Sequence, residues 1–495
     1  YNLKNRIHNS FINHIANDKQ ADAILLRVYE SIATQLEIIS IRSRECVQQI
    51  SRLDKNKVNY KPYTATLESV NKAIGLIETA LEESDTTIAL DIHLMSEGVN
   101  QTCNQQINKY SERIMGQKQN EDIITALFVT YSVEQMGDAL LKISEAILSR
   151  NLGHAIDIER YHSMLATVEK FSDAELTLPL EVQKVAETRS GSAISALTVN
   201  DGESAQQAIF KDGEKRKLNE ERAVVKSWHK IYPGLAPKIL SYKKRGKSAS
   251  LLIEHLAGLT FEQILLYESP ALLKKTLKQL AKTLNSVWSE TRVNDKVNAQ
   301  YLKQLNQRLK DIYAIHPEFR TSRKNVCGHK ILAFEELILA AQPVEKKYKA
   351  PFSVFIHGDF NIDNIIYDPL ESRINFIDLH RSRYMDYVQD VSVFMVSNYR
   401  LQILDTDLRQ RINDVICIFY SYVEKFARQA GDETFEIRLA LGLARSFATS
   451  TRFILDKTLA REMMLRARYL LEQIISLDKH SIATFKIPMK EIFVG

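Results

Sequence analysis

The chain has 495 residues, which suggests about two to four domains, and its hydrophobic content of 45% is ordinary for a globular protein with large cores. The 66 basic residues against 61 acidic ones leave +5, too balanced to argue for a nucleic-acid partner. No stretch approaches the roughly 18 uninterrupted apolar residues of a spanning helix, so no membrane partner is expected. Cys46, Cys103, Cys327 and Cys417 lie far apart without a CxxC pair and read as reduced thiols of a cytoplasmic protein. The chain starts at Tyr1 rather than Met, and its first stretch is polar, unlike a signal peptide; residues before it are left open.

In chain order, residues 10–151 are almost continuously helical in pattern. Apolar residues recur at three and four over 21–53 (Val28, Ile32, Leu36, Ile39), 64–82 (Leu67, Val70, Ile74, Ile77) and 86–115. They do so again over 121–148 (Ile124, Leu127, Val133, Met136, Leu140, Ile143). Long helices with short links predict an antiparallel bundle. Residues 152–180 are transitional, with one more amphipathic helix over 161–171. From Leu180 the period changes to alternation, and 182–187, 193–199 and 206–211 read as a strand meander turning at Ser190-Gly191 and Asp201-Gly202. A helix over 214–230 follows, then strands at 236–240 and 250–254. Beyond Thr260, a good N-cap, helices are expected over 260–292, 297–314, 330–341, 386–400, 405–430, 433–453 and 458–477.

One segment carries chemistry. His357-Gly358-Asp359 is followed by Asn364, and Asp378 comes nineteen positions after Asp359, all between apolar runs. This is the spacing of a phosphotransferase catalytic loop and its metal-binding strand. Asp359 would accept or orient the proton of an attacking hydroxyl, Asn364 would place an amide oxygen on Mg²⁺, and Asp378 would bridge the metal to nucleotide phosphates. A hairpin turn rich in Asp and Asn explains polar residues, but not their order.

The segment resembles the catalytic motif of the aminoglycoside phosphotransferase and choline kinase family, a branch of the protein-kinase-like fold. Gly358, where protein kinases carry Arg, and Asp378-Leu379-His380, where they carry Asp-Phe-Gly, are the small-molecule-kinase forms. The helical pattern gives an all-α bundle at 1–170, and the resemblance implies that an α+β two-lobed kinase-like domain follows, with its N-lobe at 171–256 and C-lobe at 257–495. It implies ATP and Mg²⁺ as cofactors and a small-molecule hydroxyl substrate. Lys211 would cradle the phosphates, oriented by Glu221, with Glu220 as the fallback; Ser190 and Gly191 would form a short phosphate loop. Glu254 and Leu256 would flank the hinge that holds adenine, His357 would brace the catalytic loop, and Asp390 would anchor it. His380, Arg381 and Arg383 are unusual beside a transferred phosphoryl: they read equally as solvated charges or as ligands of an acidic substrate. Arg445, Arg452, Arg461, Arg466 and Arg468 recur on the late helices, where outward-facing charge is the ordinary reading.

In the bundle, Glu134-Gln135-Met136-Gly137-Asp138 resembles the E-x-x-x-D helix of PhoU-type phosphate-signalling proteins, whose bundles bind metal ions. Only one copy is clear, so solvated surface carboxylates are the stronger reading. A regulatory bundle, a homodimer through the bundle, and a plain structural appendage stand as expectations. A nucleotide-binding pseudokinase linked to phosphate or metal status and a protein kinase are the rival readings of the whole chain.

Overall fold

The computed structural model describes residues 20–53, 61–114, 121–152, 156–168, 181–187, 193–200, 205–246, 248–478 and 481–494. The chain divides into two compact units, one of Tyr1–Gly213 with Ser241–Leu252, the other of Glu214–Leu240 with Ile253–Gly495. In order of elements it is an all-α bundle followed by an α+β part.

The first unit opens with helices α1 (Gln20–Ile50), α2 (Lys61–Gly75), α3 (Ile77–Glu82), α4 (Thr86–Ile114), α5 (Glu121–Asn151) and α6 (Ile158–Val168). α5 is the axis, with α1 and α4 packed along it. Its buried positions Val129, Val133, Met136, Leu140, Ile143 and Ile147 keep the helical period, as burial of a helix on two sides requires. A buried polar link ties α2 to α4 and α5: the Tyr63 hydroxyl lies 3.0 Å from that of Tyr110 and 2.8 Å from that of Thr130. The single helix expected over 64–82 is broken at Leu76, just after Gly75, whose freedom makes it a poor helix interior. Beyond α6 come β1 (Glu181–Glu187), β2 (Ala193–Asn200) and β3 (Ala205–Glu214). They join β4 (Ile239–Arg245) and β5 (Ser248–Glu254) in a sheet of order β1-β2-β3-β5-β4. β2 and β3 pair antiparallel, with Ile194 opposite Lys211. The turns expected at Ser190-Gly191 and Asp201-Gly202 lie outside the described residues.

The second unit begins with α7 (Lys215–Ile231) and, after the hinge, continues through β6 (Leu259–Thr260), α8 (Phe261–Tyr267), α9 (Pro270–Glu290) and α10 (Tyr301–Ile315). The helix expected over 260–292 is cut where Ser269 caps α9 by accepting from the Leu272 amide, with Pro270 at its first position. A hairpin that the sequence reading missed, β7 (Lys324–Val326) with β8 (His329–Ile331), turns on Cys327 and Gly328, both at positive φ. α11 (Phe334–Lys347) therefore starts later than expected. Four strands follow as β9 (Val354–Ile356), β10 (Ile365–Asp368), β11 (Arg373–Phe376) and β12 (Arg383–Met385). β10 sits between β11 and β6, and β12 pairs with β9. Helices α12 (Val388–Tyr399), α13 (Thr406–Gln429), α14 (Phe435–Ser450) and α15 (Lys457–Ser476) enclose them, ending in the short α16 (Ser481–Thr484) and α17 (Met489–Ile492). Among the described residues, no helix is long and apolar enough to cross a membrane.

Candidate active site

β9 is buried at every position and delivers the chain into His357-Gly358-Asp359. Gly358 has φ +85°, and a Cβ there would stand 2.3 Å from the Arg381 carbonyl oxygen. The glycine is thus set by the close approach of the Leu379–Arg381 turn, on top of its left-handed backbone. Gly258, at φ +115°, meets the same limit against the Tyr367 carbonyl oxygen on β10, also at 2.3 Å.

Two buried side chains pin the loop. Asp390, on the first turn of α12, accepts the His357 amide at 2.7 Å and the Gly358 amide at 2.8 Å. Its burial pushes the carboxyl up to about 7, while those two amides pull the other way. The His357 ring, 1% exposed as a residue, reaches the Ile377 carbonyl from Nε2 at 2.9 Å, and its Nδ1 accepts the Asp359 amide at 3.3 Å. Nε2 must therefore carry the proton, and burial lowers the ring's pKa, so His357 is a neutral brace. The Ser382 hydroxyl donates to the His357 carbonyl at 3.0 Å and receives the Trp228 indole N–H at 3.0 Å. Trp228 also packs edge-on against Phe355, tying α7 to the catalytic strands.

The sequence-predicted residues of this loop come together. The Asp359 carboxylate accepts from Asn361 Nδ2 at 2.9 Å through Oδ1 and faces Arg381 Nη1 at 3.2 Å through Oδ2. Asn364 Nδ2 donates to the Asp359 backbone carbonyl at 2.9 Å, so its amide nitrogen is spent on the loop and its oxygen is the end suited to a cation. The Ile377 amide donates to the Asn364 carbonyl at 3.1 Å, bringing Asp378 alongside. Asp378 holds a left-handed backbone, φ +58°, an uncommon state for a non-glycine residue that is found at functional sites. Its Oδ1 accepts from His380 Nδ1 at 2.9 Å, and this hydrogen bond raises the His380 pKa; His380 Nε2 in turn receives Arg381 Nε–H at 3.1 Å, which requires that nitrogen bare. Among the described residues, no three His, Cys, Asp or Glu side chains converge as a protein-only metal site. One carboxylate and one amide oxygen suit Mg²⁺ that completes its shell with phosphate and water.

The late arginines separate into two kinds. Arg466 donates to the Ile492 carbonyl and Arg468 to the Leu332 carbonyl, and Arg461 is exposed. Arg445 and Arg452 differ from these: burial lowers the pKa of each, opposed for Arg445 by the charges of Asp359 and Asp390 and reinforced for Arg452 by that of Arg381. Arg400, which the sequence reading passed over, donates to Asn361 Oδ1 at 3.1 Å.

Lys211 is buried on β3 in the first unit, beside Asp212, which faces Arg160 at 3.7 Å. Glu221 is buried on α7, two turns before Trp228, in the second. Glu254 ends β5, its carboxylate accepting the Lys238 amide at 3.0 Å, and Leu256 is buried just beyond it. Ser190 and Gly191 lie outside the described residues.

Residues 188–426 match the family described as "Phosphotransferase enzyme family". No curated protein matches the chain. Similar solved structures include the Plasmodium vivax ethanolamine kinase, at 13% identity and TM-score 0.37 over 68% of this chain and 94% of that one. An aminoglycoside-3'-phosphotransferase of type VIII gives 14%, 0.33, 54% and 99%, and the choline kinase from Cryptosporidium parvum Iowa II gives 14%, 0.34, 63% and 93%.

Proposed function

We propose that this protein moves the γ-phosphoryl group of ATP to a hydroxyl of a small-molecule acceptor, with Mg²⁺ as the metal. The observation that supports it best is a catalytic carboxylate, an amide oxygen and a second carboxylate held on one loop and hairpin by the neutral His357 and the buried Asp390. Mg²⁺, when bound, neutralises and orients the phosphates, with Asn364 Oδ1 and the Asp378 carboxylate as its protein ligands. Asp359 receives the acceptor hydroxyl at Oδ2 and takes its proton as the new O–P bond forms and the bond to the leaving β-phosphate oxygen breaks. Lys211 would hold the phosphates, and backbone groups at Glu254 and Leu256 would hold the base. Positioning and charge neutralisation supply most of the rate.

The bundle is read as a regulatory or dimerising domain; light scattering that finds the full chain monomeric at working concentration would remove the second role. The catalytic assignment is tested by Asp359→Asn. Turnover should fall by about 10³-fold or more while the Kd for Mg-ATP moves less than about threefold. A variant as active as the parent would sink the assignment.

A further inference from the structure

Asp359 Oδ2 faces Arg381 Nη1 at 3.2 Å, and Arg445 on α14 reaches the Ser392 hydroxyl on α12, the helix whose Asp390 holds the loop amides. Resting on the phosphotransfer reading above, we propose that the acceptor is an anion, a hydroxyl compound bearing a phosphate or carboxylate that Arg381, Arg445 and Arg452 bind beside Asp359.

The arginines are held as a built surface. Arg452 sits on the turn Thr451–Phe453 after α14, and buried His316 fixes that turn by reaching the Thr451 carbonyl at 3.0 Å and the Ile454 carbonyl at 2.8 Å from one nitrogen. Arg452 Nε donates to the Thr449 carbonyl at 2.9 Å, which leaves the fork of the guanidinium for another partner. That fork faces Asp311 only at 3.5 Å, and Asp311 is shared at the same distance with Arg308. Arg445 is 9% exposed, lies over the Tyr301 ring, and its Nε has no hydrogen-bond partner. Its Nη2 makes a long hydrogen bond to the Ser392 hydroxyl, at 3.4 Å. Arg400 is positioned by Arg409, which donates to the Tyr399 and Leu401 carbonyls on either side of it.

Charge does not close within this group. Asp390 spends both oxygens on the loop amides, and Asp359 is the reacting carboxylate. Among the described residues, Asp311 answers both Arg308 and Arg452. Burial lowers the pKa of Arg445 and Arg452, and for Arg452 the neighbouring Arg308 adds to it. A buried guanidinium without a full partner is costly, and an oxyanion accepting from its planar fork removes that cost. In a transfer to an acceptor hydroxyl the acceptor stands beside Asp359, whose Oδ2 faces Arg381 at 3.2 Å.

The test uses the full chain, Mg-ATP and matched acceptors: glycerol against glycerol 3-phosphate and glycerate, and glucose against glucose 6-phosphate, with choline as the cation. An anionic member should exceed its neutral partner by about tenfold or more in kcat/KM, the scale of one charge-assisted contact. Arg452→Gln and Arg381→Gln should each raise the KM of that acceptor about tenfold with the KM for ATP within about twofold, and Arg452→Lys should recover part of the loss. Inorganic sulfate should compete with the acceptor and not with ATP. Whether the phosphate or the carboxylate member leads names the group. Neutral or cationic acceptors that equal the anions, all lost in Asp359→Asn, would overturn the inference and leave phosphotransfer standing. Absence of Asp359-dependent turnover on every acceptor would overturn the phosphotransfer reading, and the anionic acceptor with it.

Discussion

Two pairs of carboxylates, one in each part of the molecule, look alike in sequence and are built for different ends. On α5, Glu134 and Asp138 share a helix face four residues apart. Asp138 accepts from Asn100 Nδ2 at 2.9 Å and from Gln135 Nε2 at 3.3 Å, so it is bonded across to α4. Gly137 between them permits that contact: a Cβ there would lie 2.1 Å from Asn100 Oδ1, and its carbonyl receives the Ser96 hydroxyl at 2.8 Å. The motif is a helix-packing device. Partial burial, then Asp138, raises the Glu134 pKa. Asp359 and Asp378 stand instead on a loop and just past a hairpin, Asp359 with its backbone amide on the buried His357 ring and Asp378 beside Ile377, whose carbonyl that ring also reaches, each facing a basic group. The residue type is the same; the frame decides whether a carboxylate is structural or reactive.

That contrast can be broken by changing the frames rather than the carboxylates. After Asp359→Asn, the largest effect is expected from Gly358→Ala. The added Cβ must displace the Arg381 backbone and adopt a positive φ, so kcat should fall by about 10²-fold and stability by roughly 2–3 kcal/mol, read from urea unfolding. A Gly358→Ala variant that stays active and stable would show that the close approach is not needed.

Asp390→Asn should be milder, lowering kcat by about 10- to 100-fold, since one of the two loop amides loses its acceptor. It also carries a pH signature. Asp390 is raised from its ordinary value of 3.8 to about 7 in the folded chain, so the fold binds its proton more tightly than the unfolded chain does. Its contribution to stability is full below about pH 4 and is lost as pH rises through about 7. Between those limits the parent's Tm should therefore fall more steeply with pH than that of Asp390→Asn. Parallel curves would mean that Asp390 is ionised throughout. The smallest effect is expected in the bundle: Glu134→Gln should change kcat by less than about twofold and stability by no more than about 0.5 kcal/mol.

How far the sequence could be read follows the range of the contacts. The order of His357, Asp359, Asn364 and Asp378 was legible because these residues share one short stretch, and the anchoring role of Asp390 was legible from the resemblance. The all-α bundle followed by an α+β part was legible from the change of period near Leu180. What was hidden depends on distant partners. Trp228 reaches His357 through Ser382, across 154 residues of chain, and nothing near Trp228 signals it. The packing role of Gly137 needs Asn100, on another helix. Arg445 looks like Arg461, Arg466 and Arg468 in sequence, and only its burial against Tyr301 and Ser392 separates it. The break at Ser269-Pro270, by contrast, carries a local signal, a capping serine before proline, that a longer helical period masked.

The most direct measurement is Mn²⁺ binding followed by electron paramagnetic resonance, with and without ADP, in the parent, Asp378→Asn, and the double variant Glu134→Gln with Asp138→Asn. A phosphotransfer centre at the hairpin predicts nucleotide-dependent Mn²⁺ binding that weakens by about tenfold or more in Asp378→Asn and is unchanged in the bundle variant. Binding that survives Asp378→Asn and disappears with Glu134 and Asp138 would contradict the account, and would place the metal chemistry in the bundle.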